Sequence, residues 1–246
     1  MDQCGIRSIN SVVDISNYVL LELGHPLHTF DLGLVEGETI IVRSANKNEK
    51  MVTLDGENRK LSSYHLLICD SKKPVGLAGI MGGENTEVTQ KTTDVLIECA
   101  YFDPVTIRKG AKNLDLSSEA SRRFERGADP NAALSAFWRV INLIEEYAGG
   151  KFNGDLIDFY PEELSVNSIK IRKDEIELII GVNIEDDQII YILEGLGFSV
   201  TNNTNDFDCI PPTFRPDVTR EIDIIEEIAR IYGYDNIPID LSLIHI

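Results

Sequence analysis

Arg215–Pro238 reads RPDVTREIDIIEEIARIYGYDNIP. It places Asp217, Asp223, Glu226 and Glu227 within eleven residues, and its spacing predicts a helix over Glu221–Tyr232. On that helix Asp223, Glu226 and Glu227 stand at i, i+3 and i+4 and share a face. Ile222, Ile224, Ile225, Ile228 and Ile231 are expected to take the other face to a core. Like charges so spaced repel by a few tenths of a kcal/mol per pair. The acidic face therefore points to solvent, to a cation or to a basic partner; the plain alternative is a solvated charged face. A cation there would be a hard one such as Mg2+, which takes oxygen ligands. No histidine or cysteine lies between Cys209 and His245 to draw a softer metal.

Upstream of this helix a small unit is expected, over residues 168–240. Ile169–Ile171 reads as a strand, and Lys173–Ile180 and Glu185–Leu196 as helices parted by Gly181. A strand follows from Gly197, Asn202–Asp206 is a turn, and Phe207–Ile210 is its return strand. Helix, helix, hairpin and a last helix suggest a winged-helix-like arrangement. The acidity of this half and its lack of a basic recognition helix favour a docking module over a nucleic-acid reader. Asp158–Asn167, with Pro161, Glu162 and Glu163, reads as the junction.

The chain has 246 residues, 43% of them hydrophobic, enough for a packed core in one large or two medium domains. No apolar run approaches the roughly 18 residues of a membrane span, and Met1 opens no signal-peptide pattern. Cys4, Cys69, Cys99 and Cys209 are scattered, so four reduced thiols in a cytoplasmic protein are expected, without zinc. The net charge of −18 argues against general nucleic-acid binding. A local exception is Arg108, Lys109, Lys112, Arg122, Arg123 and Arg126, a patch suited to phosphate or else a salt-bridged surface.

The first domain is expected over residues 1–160. Ser11–Leu23 reads as a helix ended by Gly24. Thr39–Ser44, Met51–Leu54, Leu66–Cys69, Val75–Ile80 and Val95–Cys99 read as strands, with a turn at Asp55-Gly56. Asp129-Pro130 reads as the N-cap and first residue of a helix that carries Ala133, Phe137, Ile141 and Ile144 and closes at Gly149-Gly150. The fold class is α+β, with a mixed or antiparallel sheet rather than a doubly wound one.

Several long motifs occur in order: CGIRSINSVVDISNYVLLELGHPLHTFD at Cys4–Asp31, GLAGIMGG at Gly76–Gly83, VLIECAYFDP from Val95, LSSEASRRFERGADP ending at Pro130, and the RPD and E-x-D-x-x-E-E words above. Together the chain resembles the bacterial phenylalanyl-tRNA synthetase beta subunit, up to Pro238. The resemblance makes the chain a fragment, spanning the family's editing domain and the small magnesium-binding domain after it. It implies hydrolysis of tyrosine wrongly attached to tRNA(Phe). The aminoacylation site, with its ATP and phenylalanine, belongs to the alpha subunit of an alpha2beta2 enzyme. Site residues carried over are Glu98 as selector of the tyrosine hydroxyl, Gly82 and Ala120 as small pocket residues, and His28 near the scissile ester. Ser16, Asn17 and Ser118 follow as nearby polar groups. Asp217, Asp223, Glu226 and Glu227 become ligands of Mg2+ near the alpha-subunit contact. A second site that selects for the hydroxyl answers a physical need, because a pocket for phenylalanine rejects one added hydroxyl poorly.

The chain departs from the family at Ser16 and Ser118, where threonine is common, at Glu119, where aspartate is, and over Ile239–Ile246. His25 and His28 form H-x-x-H, but Pro26 between them and the lack of a third ligand speak against a metal pair. The alternatives are an amino-acid- or tRNA-binding module without turnover, a structural interaction protein docking through its acidic helix, and a winged-helix DNA binder.

Overall fold

The computed structural model describes residues 1–154, 156–161, 164 and 166–238, so Ile239–Ile246, Glu162 and Glu163 lie outside the described residues. It separates into two compact units, Met1–Asp158 and Phe159 onward. Every strand pairing among the described residues is antiparallel, and helices accompany the sheets in both units, so the class is α+β. No described helix is long and apolar enough to cross a membrane.

The first unit runs α1 (Ser11–Leu23), β1 (His28–Asp31), β2 (Ile41–Ser44), β3 (Lys50–Val52), β4 (Asn58–Lys60), β5 (Leu66–Cys69), β6 (Pro74–Leu77), β7 (Met81–Gly82) and β8 (Val95–Glu98). Then come α2 (Pro104–Asn113), α3 (Glu119–Phe124) and α4 (Ala132–Tyr147). Strands β2-β5-β6-β7 form one sheet, β3-β4 a hairpin, and β1-β8 a separate ribbon. Asn10 caps α1 by accepting from the Val13 N–H at 3.0 Å, and Gly24 ends it at φ 72°, a conformation open to glycine. Ile15 and Val19 of α1 pack on Ala136, Val140 and Leu143 of α4.

The ribbon lies between two apolar layers. Leu96 and Ala100 pack against the main core of Phe30, Leu67, Leu77, Ile107 and Phe124, while Ile97 and Cys99 pack against the α1–α4 cluster. The period-two alternation of a strand thus assigns each residue from Leu96 to Ala100 to one layer or the other.

The second unit runs β9 (Ile169–Arg172), α5 (Lys173–Ile180), α6 (Asp186–Gly195), β10 (Ser199–Asn202), β11 (Asp206–Ile210) and α7 (Glu221–Tyr232). Its strands form a three-stranded sheet in the order β10-β11-β9. Its core gathers Ile171, Ile176, Leu193, Phe207, Ile224, Ile225 and Ile228.

Two helix expectations need correction. Asp129-Pro130 does not open α4: Asp129 accepts from the Asn131 N–H in a local turn, and the helix begins at Ala132. The Asp-Pro pair that does open a helix is Asp103-Pro104, whose carboxylate accepts from Thr106 N–H at 2.8 Å. On α7, Ile222 and Ile231 are 43% and 45% exposed, while Glu227 is only 8% exposed. At 3.6 residues per turn, Ile224, Ile225 and Ile228 centre the buried stripe, and Ile222 and Glu227 fall on its two flanks. Which flank is covered is set by packing, not by residue type.

Ile224 is fully buried at the centre of the second core. Ile224→Ala is expected to destabilise the second unit by about 2–5 kcal/mol in denaturant titration, the usual cost of such a truncation.

Candidate functional site

Antiparallel pairing of β1 and β8 sets His28 opposite Glu98 and Phe30 opposite Leu96. His28 and Phe30 lie on one face of β1 with their rings edge to face, centroids 4.5 Å apart. That face meets two glycines of the four-stranded sheet, Gly76 and Gly82, which are themselves cross-strand partners. A Cβ at Gly82 would stand 2.3 Å from the His28 ring, and one at Gly76 would stand 3.9 Å from Phe30. The imidazole therefore rests directly on the Gly82 backbone, in space any side chain would claim.

A cavity of about 80 Å³ opens there, bounded by His28, Met81, Gly82, Glu98, Ala120 and Phe124 among others. Helix α3 supplies its far wall. Ser118 caps α3 by accepting from Ser121 N–H at 3.0 Å, and its hydroxyl donates to the Ile80 carbonyl at 2.6 Å. This pair of bonds holds Ala120 and Phe124 against the turn between β6 and β7. The turn itself needs Gly79, at φ 65°, where a Cβ would meet Ile107 and Phe102 at 2.9 Å. A wider, open depression of about 600 Å³ at Leu32, Val35, Glu38 and Asp94 gathers no comparable constellation.

Both polar groups in the cavity are desolvated. Burial pushes the Glu98 carboxyl up to about 7 and pulls the His28 imidazole down to about 4. No hydrogen bond or ion pair among the described residues offsets either shift. Near neutral pH the site presents an uncharged imidazole and a carboxyl poised between its two forms. Burying such a group without a partner costs free energy, so a ligand that hydrogen-bonds to it regains that cost.

Four of the residues expected in the pocket, His28, Gly82, Glu98 and Ala120, come together around this cavity. Ser118 does not line it but builds its wall. Ser16 and Asn17 lie on α1, where the buried Ser16 hydroxyl donates to the Val12 carbonyl at 3.0 Å. His25 is fully buried against the edge of Phe124, with neither ring nitrogen hydrogen-bonded among the described residues. Burial lowers its pKa. Phe124 and Met81 are wall residues that sequence reading missed. Met81 adjoins Gly82 and Phe124 stands one turn past Ala120 on α3, so the helical spacing from Ala120 is the signal that could have found Phe124.

The acidic set of the second unit is arranged differently. Arg215 bridges Asp217 at 2.6 Å and Glu227 at 2.9 Å. Glu227 also receives Arg230. Although burial opposes ionisation of Glu227, these two guanidinium groups hold its carboxyl below the usual range. Asp223 accepts from Arg220 and from the Thr219 and Arg220 N–H groups at the start of α7, which lowers it likewise. Glu226 stands exposed. Among the described residues no three ligating side chains converge on one point. In this arrangement Asp217, Asp223 and Glu227 are occupied by arginine and Glu226 stands apart, so the four do not fit an octahedral Mg2+ site.

A family model for the B3/4 domain matches residues 1–149, and one for the tRNA synthetase B5 domain matches residues 169–234. Curated relatives include the phenylalanine–tRNA ligase beta subunits of Protochlamydia amoebophila, 46% identical over 97% of this chain and 30% of the relative. Those of Syntrophus aciditrophicus and Thermotoga maritima are both 45% identical, over 99% and 95% of this chain and 31% and 29% of theirs. The chain thus spans about 30% of the length of the relatives it matches. A solved N-terminal fragment of the phenylalanyl-tRNA synthetase beta subunit from Pyrococcus horikoshii is similar at TM-score 0.45 and 19% identity, over 91% of this chain and 65% of that one, too slight for comparing sites.

Two outcomes follow for solution measurements. Glu98 is raised on folding, so the folded state holds its proton between pH about 4.5 and 7 while the unfolded chain releases it. Stability is therefore lost as pH rises through that window. Glu98→Gln should unfold like the parent below pH 4.5 and be more stable, by up to about 3 kcal/mol, above pH 7. For the acidic helix, Mg2+ should raise the melting temperature of this chain no more than NaCl of equal ionic strength. A saturable Mg2+-specific rise would mean that the arginines yield to the cation.

Proposed function

The chain belongs to the B3/4 domain family, with a tRNA synthetase B5 domain after it, and on that premise we propose that it is the editing segment of a phenylalanine–tRNA ligase beta subunit. The observation that carries this reading is the desolvated, unpartnered Glu98 carboxyl facing a small cavity floored by Gly82. Such a group selects for a hydroxyl. The phenol of a tyrosyl ester would pair with it, whereas phenylalanine would leave it buried and unpaired, and that asymmetry supports strong discrimination.

In the reaction, water adds to the ester carbonyl, the bond from that carbon to the ribose oxygen breaks, and the ribose hydroxyl takes up a proton. With its basicity depressed to about 4, His28 is a poor proton acceptor at neutral pH, so its part is to orient the water or the terminal ribose. Ser16 and Asn17 are assigned no contact with the substrate. The weakness of His28 as a base also favours a second reading, a module that grips the aminoacylated end of tRNA without hydrolysing it.

The second unit is proposed as a winged-helix-like module that docks the alpha subunit of a cytoplasmic alpha2beta2 enzyme. Its element order supports this, with the β10–β11 hairpin between α6 and α7. ATP and phenylalanine would be used by the whole enzyme, outside this chain. A role for Mg2+ at Asp217, Asp223, Glu226 and Glu227 would require Arg215 and Arg230 to release Glu227.

The test is release of tyrosine from tyrosyl-tRNA(Phe), against phenylalanyl-tRNA(Phe), by this chain and by the complete enzyme. Glu98→Ala should lose tyrosine release at least about ten-fold and leave phenylalanine release slow. Gly82→Ala should do the same by displacing the His28 ring. A parent enzyme without preference for the tyrosyl ester sinks the editing reading, and tight binding without turnover would establish the module in its place.

A further inference from the structure

The β3–β4 hairpin contributes no residue to the cavity lining, yet its tip is fastened to the cavity floor. Leu54 N–H donates to the Gly82 carbonyl at 3.1 Å, and Thr53 forms an antiparallel bridge with Gly83. The tip is also braced from within. Thr53 N–H donates to the Glu57 carbonyl at 3.1 Å, and Gly56 N–H donates to the Thr53 carbonyl at 2.8 Å. The buried Thr53 hydroxyl donates to Asp55 at 2.6 Å, and Asp55 pairs with Arg59. Gly56 supplies the left-handed residue of the turn at φ 79°. A loop bonded in this way holds the side chain it presents in one place.

That side chain is Leu54. Its Cδ1 lies 3.1 Å from the Cβ position at Gly82, the same point that stands 2.3 Å from Cε1 and 2.4 Å from Nε2 of His28. The leucine methyl and the Cε1–Nε2 edge of the imidazole therefore converge over one glycine. Asp55, Gly56, Glu57 and Asn58 beyond it are the exposed residues of an ordinary turn. Leu54 is 41% exposed among them, which forgoes part of the free energy of its burial.

We infer that Leu54 is a positioning residue for the cavity, screening the Cε1–Nε2 edge of His28 from water and so keeping the imidazole in its neutral form. The screening stands on this geometry; its consequence for hydrolysis rests on the editing reading. His28 is only half-buried, so the atoms that cover the rest of its ring set how dry it is. Glu98 on β8 is the titratable group opposite it. From β1 it meets Phe30, while β7 brings Met81 and Gly82 to the cavity and α3 brings Ala120 and Phe124, none of which titrates. The hairpin tip brings Asp55 and Arg59, which neutralise each other.

The experiment follows the His28 Cε1–H resonance of the whole chain against pH. The chain has four histidines, so substitution assigns the spectrum. His28 should titrate at about 4 in the parent. Leu54→Ala should raise its midpoint by at least about one pH unit toward the ordinary histidine value. Leu54→Asn, a residue at home in a turn, should do the same, whereas Leu54→Met, which keeps the apolar volume, should stay near the parent. The rise should persist in a Glu98→Gln background, where the opposite carboxyl cannot ionise. Leu134→Ala, at a leucine on α4 that is 47% exposed, should leave the midpoint unchanged. In the complete enzyme the acid limb of tyrosine release from tyrosyl-tRNA(Phe) should move up with the His28 midpoint in Leu54→Ala. An unmoved midpoint, a rise that vanishes in the Glu98→Gln background or an equal rise from Leu134→Ala overturns the inference. A raised midpoint with an unmoved acid limb overturns the positioning role. A raised midpoint in a protein whose parent releases no tyrosine at any pH would remove the editing reading and leave the screening standing.

Discussion

The register of one two-stranded ribbon carries the site. Because β1 pairs with β8 so that His28 faces Glu98, both side chains fall on the face that meets Gly82 and the main core. A slip of one residue would turn over one strand against the other, sending either His28 or Glu98 to the α1–α4 side and parting the two. The register is held by burial on both faces. Phe30, Leu96 and Ala100 belong to the main core, and Ile97 and Cys99 to the α1–α4 cluster. A strand sandwiched in this way has no face on which to tolerate an alternative pairing, so the fold's own core places the two polar groups.

That placement opposes local stability. A carboxyl without partners among Leu77, Met81, Phe124 and Ala120 is a group most cores exclude, and the imidazole across from it is held neutral by the same dryness. The surrounding contacts over-determine the arrangement. Gly82 removes the side chain that would dislodge His28, and the bond from Ser118 to the Ile80 carbonyl fixes α3 above it. A rigid shell around an unsatisfied group is what a selective pocket requires, since a looser one would let water or a rotated carboxyl satisfy the group in the absence of ligand.

Much of this was legible in the sequence, but unevenly. Long periodic segments such as Ser11–Leu23, Lys173–Ile180 and Glu221–Tyr232 form helices with the expected bounds, and Leu66–Cys69 forms the expected strand. The strand His28–Asp31 has only four residues between Pro26 and Leu32-Gly33, too few for alternation to announce it. The helix at Asp103-Pro104 carried the same capping pair as Asp129-Pro130, and local chemistry alone did not say which pair would be used. Nothing in the spacing decided whether Glu98 faced core or solvent; that is a tertiary fact. Ser118 shows the opposite limit. A hydroxyl carried over as a pocket group caps α3 and donates to the Ile80 carbonyl, a placement its spacing to Ser121 is compatible with but does not announce.

The acidic helix of the second unit obeys a different logic from the cavity. There burial of Glu227 is matched by two guanidinium groups, and Arg215 draws Asp217 to the same point. A planar fork with several donors can serve two carboxylates at once, and so it fastens the Arg215–Asp217 segment to α7. A metal ion in its place would need its ligands brought to one centre, whereas an arginine accepts them along an edge. The helix exposes Ile222, Glu226 and Arg230 along one edge and Ile231 on the opposite side, rather than a field of four free carboxylates.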